Sequence, residues 1–488
     1  MTPSSVQTSP IKDVDSAVAA AAAAFPAFAA TTRSARAELV RALGAALDID
    51  ASALVQCAEE ETFLDAGRLA GEVRRTSDQL RFFADLVTDG GYLEALIDHA
   101  APDAVPPRPD LRQMLVPVGP VAVYAASNFP FAFSVLGGDT ASALATGCPV
   151  VVKAHPGHPQ LSRRVAELAA RVVFDLDLPE GVLSLVEGFE AGRQLVQHPN
   201  IRAASFTGSV TGGRALFDLA AARETPIPFF GELGSLNPVV VTSGAIEKDA
   251  ARLADGLRTS FTLGVGQFCT KPGVVFAPEG ADFARRVQES AAGGNGGRML
   301  TPQMLKAHEE ALASVSTIPD VEVLPLPLEK QAGQLARGAV ISCTVDTLLA
   351  HSDVLLEEHF GPSTVIVEYG GETELHRALG GLPGALTATI HASADEDVTE
   401  IVASLSGIAG RVLFEGWPTG VAVTWAQHHG GPYPATTAPF TSVGSGATRR
   451  FLRPLAYQSA PTRLLPDELR DQPQEPLPRR VDGVLQAR

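Results

Sequence analysis

With 488 residues, 45% of them hydrophobic and 19% charged, the chain is too long for one ordinary hydrophobic core and too apolar to stay disordered, so a folded protein of two or more domains is expected. Its 38 basic and 55 acidic side chains leave a formal net charge of −17, which argues against a general nucleic-acid or anionic-membrane surface but leaves room for a local cationic pocket. Four scattered cysteines, Cys57, Cys148, Cys269 and Cys343, form no CxxC pair, which speaks against a disulfide framework or zinc cluster and suits a reducing cytoplasm.

From Asp13 to Val87 the chain reads as helical. The alanine run Ala17–Ala24 is too short to cross a bilayer, and no basic segment followed by an apolar one opens the chain, so a cytoplasmic protein is expected. Apolar residues recur at helical spacing in Arg36–Leu43, in one stretch from Leu54 to Leu69, and again from Arg74 to Leu86. A Pro-rich loop, Pro102–Pro109, leads into the alternating strand Leu111–Val116, which reads as an outward arm.

Next come a buried-strand run at Val118–Tyr124, a turn through Asn128, a small-residue helix at Val135–Leu144, and a strand at Gly147–Lys153 ending in a cation. A helix (Gln160–Phe174), a strand (Leu183–Val186), a helix (Ala191–Gln197) and a strand (Arg202–Phe206) continue the alternation. Such repetition predicts an α/β fold with a parallel sheet covered on both faces, whose ligands bind beyond the strands' carboxyl ends. The Gly-rich turn Phe206-Thr207-Gly208-Ser209 and Gly213 stand where N–H groups and a helix dipole can meet a phosphate.

A second α/β stretch runs from about Gly234 to Trp425, with helices at Lys248–Arg258 and Phe283–Ala292 and strands at Gly273–Phe276, Ser363–Val367 and Arg411–Phe414. The division expected is a cofactor-binding domain at 1–233, interrupted by an oligomerisation arm near 100–118, a catalytic domain at 234–425, and a return to the first domain with an assembly tail at 426–488. Within the second stretch, Leu263-Gly264-Val265-Gly266-Gln267-Phe268-Cys269-Thr270-Lys271-Pro272 sets one cysteine among glycines, which let backbone approach a ligand closely. Upstream, Phe230-Gly231-Glu232-Leu233-Gly234 holds a carboxylate in an equally Gly-flanked setting. A nucleophile and a base are the minimum for covalent catalysis.

Ser127-Asn128-Phe129-Pro130, Val152-Lys153, Phe206-Thr207-Gly208-Ser209, Glu232-Leu233-Gly234, Gly266-Gln267-Phe268-Cys269 and Glu358-His359-Phe360-Gly361-Pro362 together resemble, in order and separation, the aldehyde dehydrogenase superfamily. The narrower resemblance is to the α-ketoglutaric semialdehyde (2,5-dioxopentanoate) dehydrogenases, near the NADP-linked fatty aldehyde dehydrogenases. It is carried by Ala125–Ser134, Gly137-Gly138-Asp139-Thr140, Lys153–Pro159, Gly266–Gly273 and His429-Gly430-Gly431-Pro432-Tyr433-Pro434-Ala435-Thr436.

The resemblance implies a Rossmann-like cofactor domain, an α/β catalytic domain and a small β oligomerisation arm. It makes Cys269 the nucleophile, Asn128 and the Cys269 N–H the oxyanion donors, and Glu232 the general base. It also implies that Lys153 reaches the adenosine ribose or its 2′-phosphate, with His155 beside it, that Gly208 and Ser209 sit against the pyrophosphate while Gly213 lets the helix pack closely, that Thr207 and Leu233 also contact the cofactor, and that Glu358 and Phe360 face the nicotinamide ribose and ring. NADP is the expected cofactor, with NAD as an alternative: Pro156 stands where NAD-using relatives place a repelling glutamate, although Val210 stands where NADP-using relatives often place a cation.

No metal is expected, His155 and His158 being separated by a proline-containing loop. Candidates to meet the substrate carboxylate are Arg450, Arg449 and Lys271, a solvated surface position being the alternative for the arginines. Competing readings are an NADP-dependent dehydrogenase of long-chain or aromatic aldehydes and, in another class, a cysteine amidase or acyltransferase that needs no nicotinamide. The resemblance further implies a homodimer or homotetramer, joined through the arm and the tail near Val481–Leu485.

Overall fold

The computed structural model describes residues 12–290, 296–327, 335–418 and 420–487. Helices Val14–Ala29, Arg33–Ile49, Ala51–Thr62 and Ala66–Asp89 open the chain, and the side chains of Asp13, Thr32 and Asp65 cap the first, second and fourth. The stretch from Leu54 to Leu69, read as one helical segment, is two helices. Phe63 takes a left-handed conformation (φ 59°) that ends the first, and Asp65 starts the next. Arg74–Leu86 is the middle of the second of these.

The first parallel sheet orders its strands Leu183–Val186, Val150–Lys153, Val121–Tyr124, Ala203–Thr207 and Phe229–Glu232. The chain enters at the centre, winds to one edge, then returns to the other side. Its strands read as unbroken apolar runs because both faces are covered. Val121, Val123, Val150 and Val152 pack with Leu80, Phe83 and Leu144, while Ala122, Tyr124 and Val151 point the other way onto Val14, Ala17 and Ala21. Strand Phe229–Glu232, beside the Gly-rich Glu232 motif, was not foreseen.

The second sheet has seven strands: Glu322–Pro325, Ala339–Thr344, Ser363–Tyr369, Val274–Pro278, Val239–Val241, Ala388–His391 and Val412–Phe414. All are parallel except the first, an antiparallel edge. Helix Phe283–Glu289 follows one of them; Ala291 and Ala292, assigned to this helix from the sequence, lie outside the described residues.

A third sheet joins segments far apart in the chain, in the order Leu452–Gln458, Leu111–Pro117, Ala95–Asp98, Arg479–Val481 and Val484–Gln486. Strand Ala95–Asp98, four residues long and directly after a helix, carries too little alternation to be recognised. On the outermost strand Val484 and Leu485 are about two-thirds exposed. No helix among the described residues is long and apolar enough to cross a membrane.

Candidate active site

The first sheet's strands end in a row, and the quoted motifs begin where they end: Asn128 after Tyr124, Lys153 at its own strand's last position, Gly208 after Thr207, and Glu232 closing the edge strand. The second sheet brings Cys269 on the loop that feeds strand Val274–Pro278. That loop is bent by three consecutive left-handed residues, Gly264 (φ 57°), Val265 (φ 59°) and Gly266 (φ 69°). Left-handed backbone is costly for a β-branched valine, so the surrounding structure must hold it. A Cβ on Gly266 would lie 2.1 Å from the Gly361 carbonyl oxygen, which explains glycine at that point. Asn237 Nδ2 donates to the carbonyls of Cys269 (2.7 Å) and Lys271 (2.9 Å), pinning the loop from below.

Cys269, Glu232 and His429 converge: their ligating atoms all lie within 4.8 Å of one another. His429 Nε2 is 2.9 Å from Glu232 Oε1 and 3.7 Å from Cys269 Sγ, and Ser442 Oγ donates to Glu232 Oε2 at 2.8 Å. His429 is held by its backbone N–H on Thr441 Oγ1, while its Nδ1 is buried without a partner. Burial works to raise the Glu232 carboxyl, but His429, Ser442 and the Cys269 thiol outweigh it and hold the group below the ordinary glutamate range. The Cys269 thiol is pushed far above its ordinary value, first by burial and then by Glu232 and Glu358. The resting pair is therefore a carboxylate beside a protonated thiol. The same spacing would suit a three-ligand metal site, although oxidation of an aldehyde through a thiol requires no metal.

Asn128 Nδ2 donates to the Gln267 carbonyl at 3.0 Å, two residues before Cys269, and Arg68 Nη2 donates to the Asn128 carbonyl at 2.7 Å. The Arg68 guanidinium also lies over the rings of Phe129 and Phe268, 5.3 and 5.0 Å from their centroids. Glu72, buried one turn along the helix, accepts the N–H groups of Phe131 and Ala132. Sequence reasoning missed Arg68, Glu72, His429 and Ser442 as site residues; the only signal for His429 was its place at the head of a Gly-Gly-Pro motif.

A cavity of about 570 Å³ opens onto Cys269 between Phe129, Phe133, Phe268, Arg74, Arg75 and Val421. None of the three residues assigned to the substrate carboxylate lines it. Arg450 is buried in an ion pair with Asp139 (2.7 Å), Arg449 pairs with Glu94 at the surface, and Lys271 Nζ donates to the Ser363 carbonyl at 2.6 Å beside Glu358. Each already has a structural partner.

The residues assigned to the dinucleotide between Lys153 and Leu233 lie along the same row of strand ends, and Glu358 and Phe360 come before strand Ser363–Tyr369 of the second sheet. Lys153 has no ion-pair partner among the described residues, and burial lowers its pKa. His155 is pushed down to about 3 by burial, then by His158 and Lys153, so it is a neutral ring. His158 is fully buried, with Nε2 donating to the Ala126 carbonyl at 2.8 Å; it ties the loop to the turn before Asn128. Ser209 caps helix Val210–Ala221, whose first turn faces outward, and a Cβ on Gly213 would lie 2.0 Å from Leu233 Cδ2, so any larger residue there forces the Leu233 side chain to move. Glu358 stands beside Gly234, its carboxyl raised by burial against the pull of Lys271; Phe360 is half-buried two residues on. An unpaired cation, a capped helix N-terminus and close-packed glycines fit a phosphate-bearing cofactor.

A family model described as "Aldehyde dehydrogenase family" matches residues 2–432. The chain is 40% identical over 482 residues to an α-ketoglutaric semialdehyde dehydrogenase of Acinetobacter baylyi, covering 97% of this chain and 92% of the relative. It is 42% identical over 480 residues to α-ketoglutaric semialdehyde dehydrogenase 2 of Azospirillum brasilense, covering 96% and 91%. In fold it matches a 3,6-anhydro-L-galactose dehydrogenase solved in complex with NAP, with a TM-score of 0.78, 20% identity and 92% of each chain covered. An NADP-dependent enzyme of E. coli matches with a TM-score of 0.77 at 22% identity, covering 92% of this chain and 91% of that one. The match to the family model and the two relatives at 40% or more carry the conclusion: this chain belongs to the aldehyde dehydrogenase family, enzymes that oxidise aldehydes with NAD(P).

Proposed function

We propose that this protein oxidises α-ketoglutaric semialdehyde to 2-oxoglutarate, with NADP as its cofactor and NAD as an alternative. The observation that carries the reading is the convergence of a thiol, an imidazole and a carboxylate at the floor of one cavity. The identity to the two semialdehyde dehydrogenases supplies the substrate.

Glu232, hydrogen-bonded to the Cys269 thiol, takes its proton as sulfur attacks the aldehyde carbon. The adduct's oxyanion accepts from the Cys269 N–H and from the second amide hydrogen of Asn128, whose first is held by the Gln267 carbonyl. A donor placed this way is worth about 3–4 kcal/mol at the transition state. The bound nicotinamide supplies the hydride acceptor. Cys269 is then a thioester; once Glu232 has released the thiol's proton to solvent, the carboxylate, held by His429 and Ser442, takes a proton from the water that hydrolyses it, and the Cys269 thiolate leaves and is reprotonated.

Lys153, Ser209 and Gly213 would hold the adenosine and pyrophosphate end, and Glu358 and Phe360 the nicotinamide end. Pro156 puts no carboxylate against a 2′-phosphate, which favours NADP. The third sheet and its exposed Val484 and Leu485 would join copies into a homodimer or homotetramer, a state that mass photometry reads directly.

The aromatic cavity wall favours a second reading, oxidation of a long-chain or aromatic aldehyde. Absorbance at 340 nm tests both, using α-ketoglutaric semialdehyde, decanal and benzaldehyde with each cofactor and Cys269→Ala as control. A semialdehyde kcat/KM above the other two supports the proposal; the reverse order overturns it. Thiol-dependent turnover without nicotinamide reduction would point instead to an amidase or acyltransferase.

A further inference from the structure

Resting on the substrate reading above, we infer that Arg75, assisted by Arg74, forms the subsite that receives the carboxylate at the far end of the aldehyde substrate. Both arginines are on helix Ala66–Asp89 and line the cavity that ends at Cys269. Arg75 Nε and Nη2 both donate to the Val421 carbonyl, at 3.3 and 3.1 Å, and its guanidinium lies 5.5 Å from the centroid of Phe133. Its Nη1 is buried and has no hydrogen-bond partner among the described residues. A guanidinium this enclosed is costly unless an anion meets it.

Glu72 and Glu232 act on Arg75 through their charge, but neither forms an ion pair with it among the described residues. Glu72, one turn earlier, accepts two backbone N–H groups through Oε1, while its Oε2 is buried with no hydrogen-bond partner among the described residues. Asp78, on the cavity's rim, is bound to Arg81 at 2.9 Å. In a chain of net charge −17, two arginines facing one aromatic cavity are a local reversal of sign suited to a carboxylate ligand.

Substrate size agrees. The aldehyde and carboxylate carbons of a five-carbon semialdehyde are four single bonds apart, about 5 Å when extended. A chain of that length spans from the thiol into the cavity without filling it, and the Phe129, Phe133 and Phe268 rings pack along its methylenes. The cavity thus has aromatic and apolar walls, a nucleophile at one end and the Arg74 and Arg75 side chains among its lining.

Steady-state kinetics of wild type, Arg75→Gln and Arg75→Lys with α-ketoglutaric semialdehyde and with pentanal, which has the same chain length and no carboxylate, test the assignment. Arg75→Gln is expected to lower kcat/KM for the semialdehyde roughly 10- to 100-fold, mostly through KM, while pentanal changes by less than about threefold. Arg75→Lys should recover part of the loss, and Arg74→Gln should show a smaller one.

Equal losses for both aldehydes would mean that Arg75 only holds the Val421 segment, and would overturn the inference. A wild-type preference for the semialdehyde that Arg75→Gln leaves intact would overturn it alone. A wild type with no preference for the semialdehyde over pentanal would overturn both this inference and the substrate reading.

Discussion

His429 Nε2 and Glu232 Oε1 meet at 2.9 Å, almost wholly out of solvent, although 197 positions separate the two residues. The imidazole is one of the contacts that hold the carboxyl below its ordinary range despite burial. Removing it lets burial win, so the Glu232 pKa rises. His429→Ala should lower kcat about 10- to 100-fold and move the acidic limb of the kcat–pH profile to higher pH. An unchanged acidic limb would show that His429 does not set the base.

The thiol and the carboxylate make opposite demands. Glu232 raises the Cys269 pKa, so Glu232→Gln removes a neighbouring negative charge and leaves more thiolate. Alkylation by iodoacetamide at pH 8 should therefore speed up about 3- to 10-fold in the variant, while steady-state turnover falls for want of a base. Wild-type labelling should keep rising with pH beyond the ordinary thiol range, as a raised pKa requires. Slower labelling in Glu232→Gln would place the carboxylate's main role in activating the thiol.

Arg450 makes a useful contrast with Arg75. Its pair with Asp139 is buried, and removing one partner strands the other's charge. Arg450→Met should cost about 3–5 kcal/mol of stability in a urea titration and leave the kcat/KM ratio of semialdehyde to pentanal unchanged. A changed ratio would return Arg450 to the list of substrate contacts.

Gly266→Ala tests the cysteine loop. Alanine at φ 69° is strained, and its Cβ would meet the Gly361 carbonyl. A loss of roughly 2–4 kcal/mol, with slowed thiol labelling, is expected. Gly407→Ala, where a Cβ meets nothing within 4 Å, is the control.

Lys153→Ala tests the cofactor reading. If the lysine meets a 2′-phosphate, KM for NADP should rise about 10-fold or more while KM for NAD moves little. Equal changes would place Lys153 on the ribose.

Much of the fold is legible because the first sheet is covered on both faces: Val150-Val151-Val152 and Leu183–Val186 are short apolar runs between turns, the length and β-branched content of buried strands. Cys269, Glu232 and Asn128 were legible for another reason, since each sits in a short motif just beyond or at the end of a strand. Arg68, Arg75 and Glu72 were not. On an amphipathic helix their pattern is that of a solvated face, and only the packing of the Phe129 turn and the Val421 segment buries them. Nor does any local spacing pair Ser442 or His429 with Glu232. Arg450 misled because an arginine near the chain's end reads as free surface, whereas Asp139, far upstream, had already claimed it.

The groups proposed to react are split between two separately cored sheets: Asn128 and Glu232 on one, Cys269 on the other, with His429 and Ser442 on the returning segment. Catalysis is thus a sensor of how the two lobes dock. In a denaturant titration, aldehyde oxidation should vanish while far-ultraviolet dichroism is still native, because a slight slip between intact lobes is enough to part the sulfur from its base.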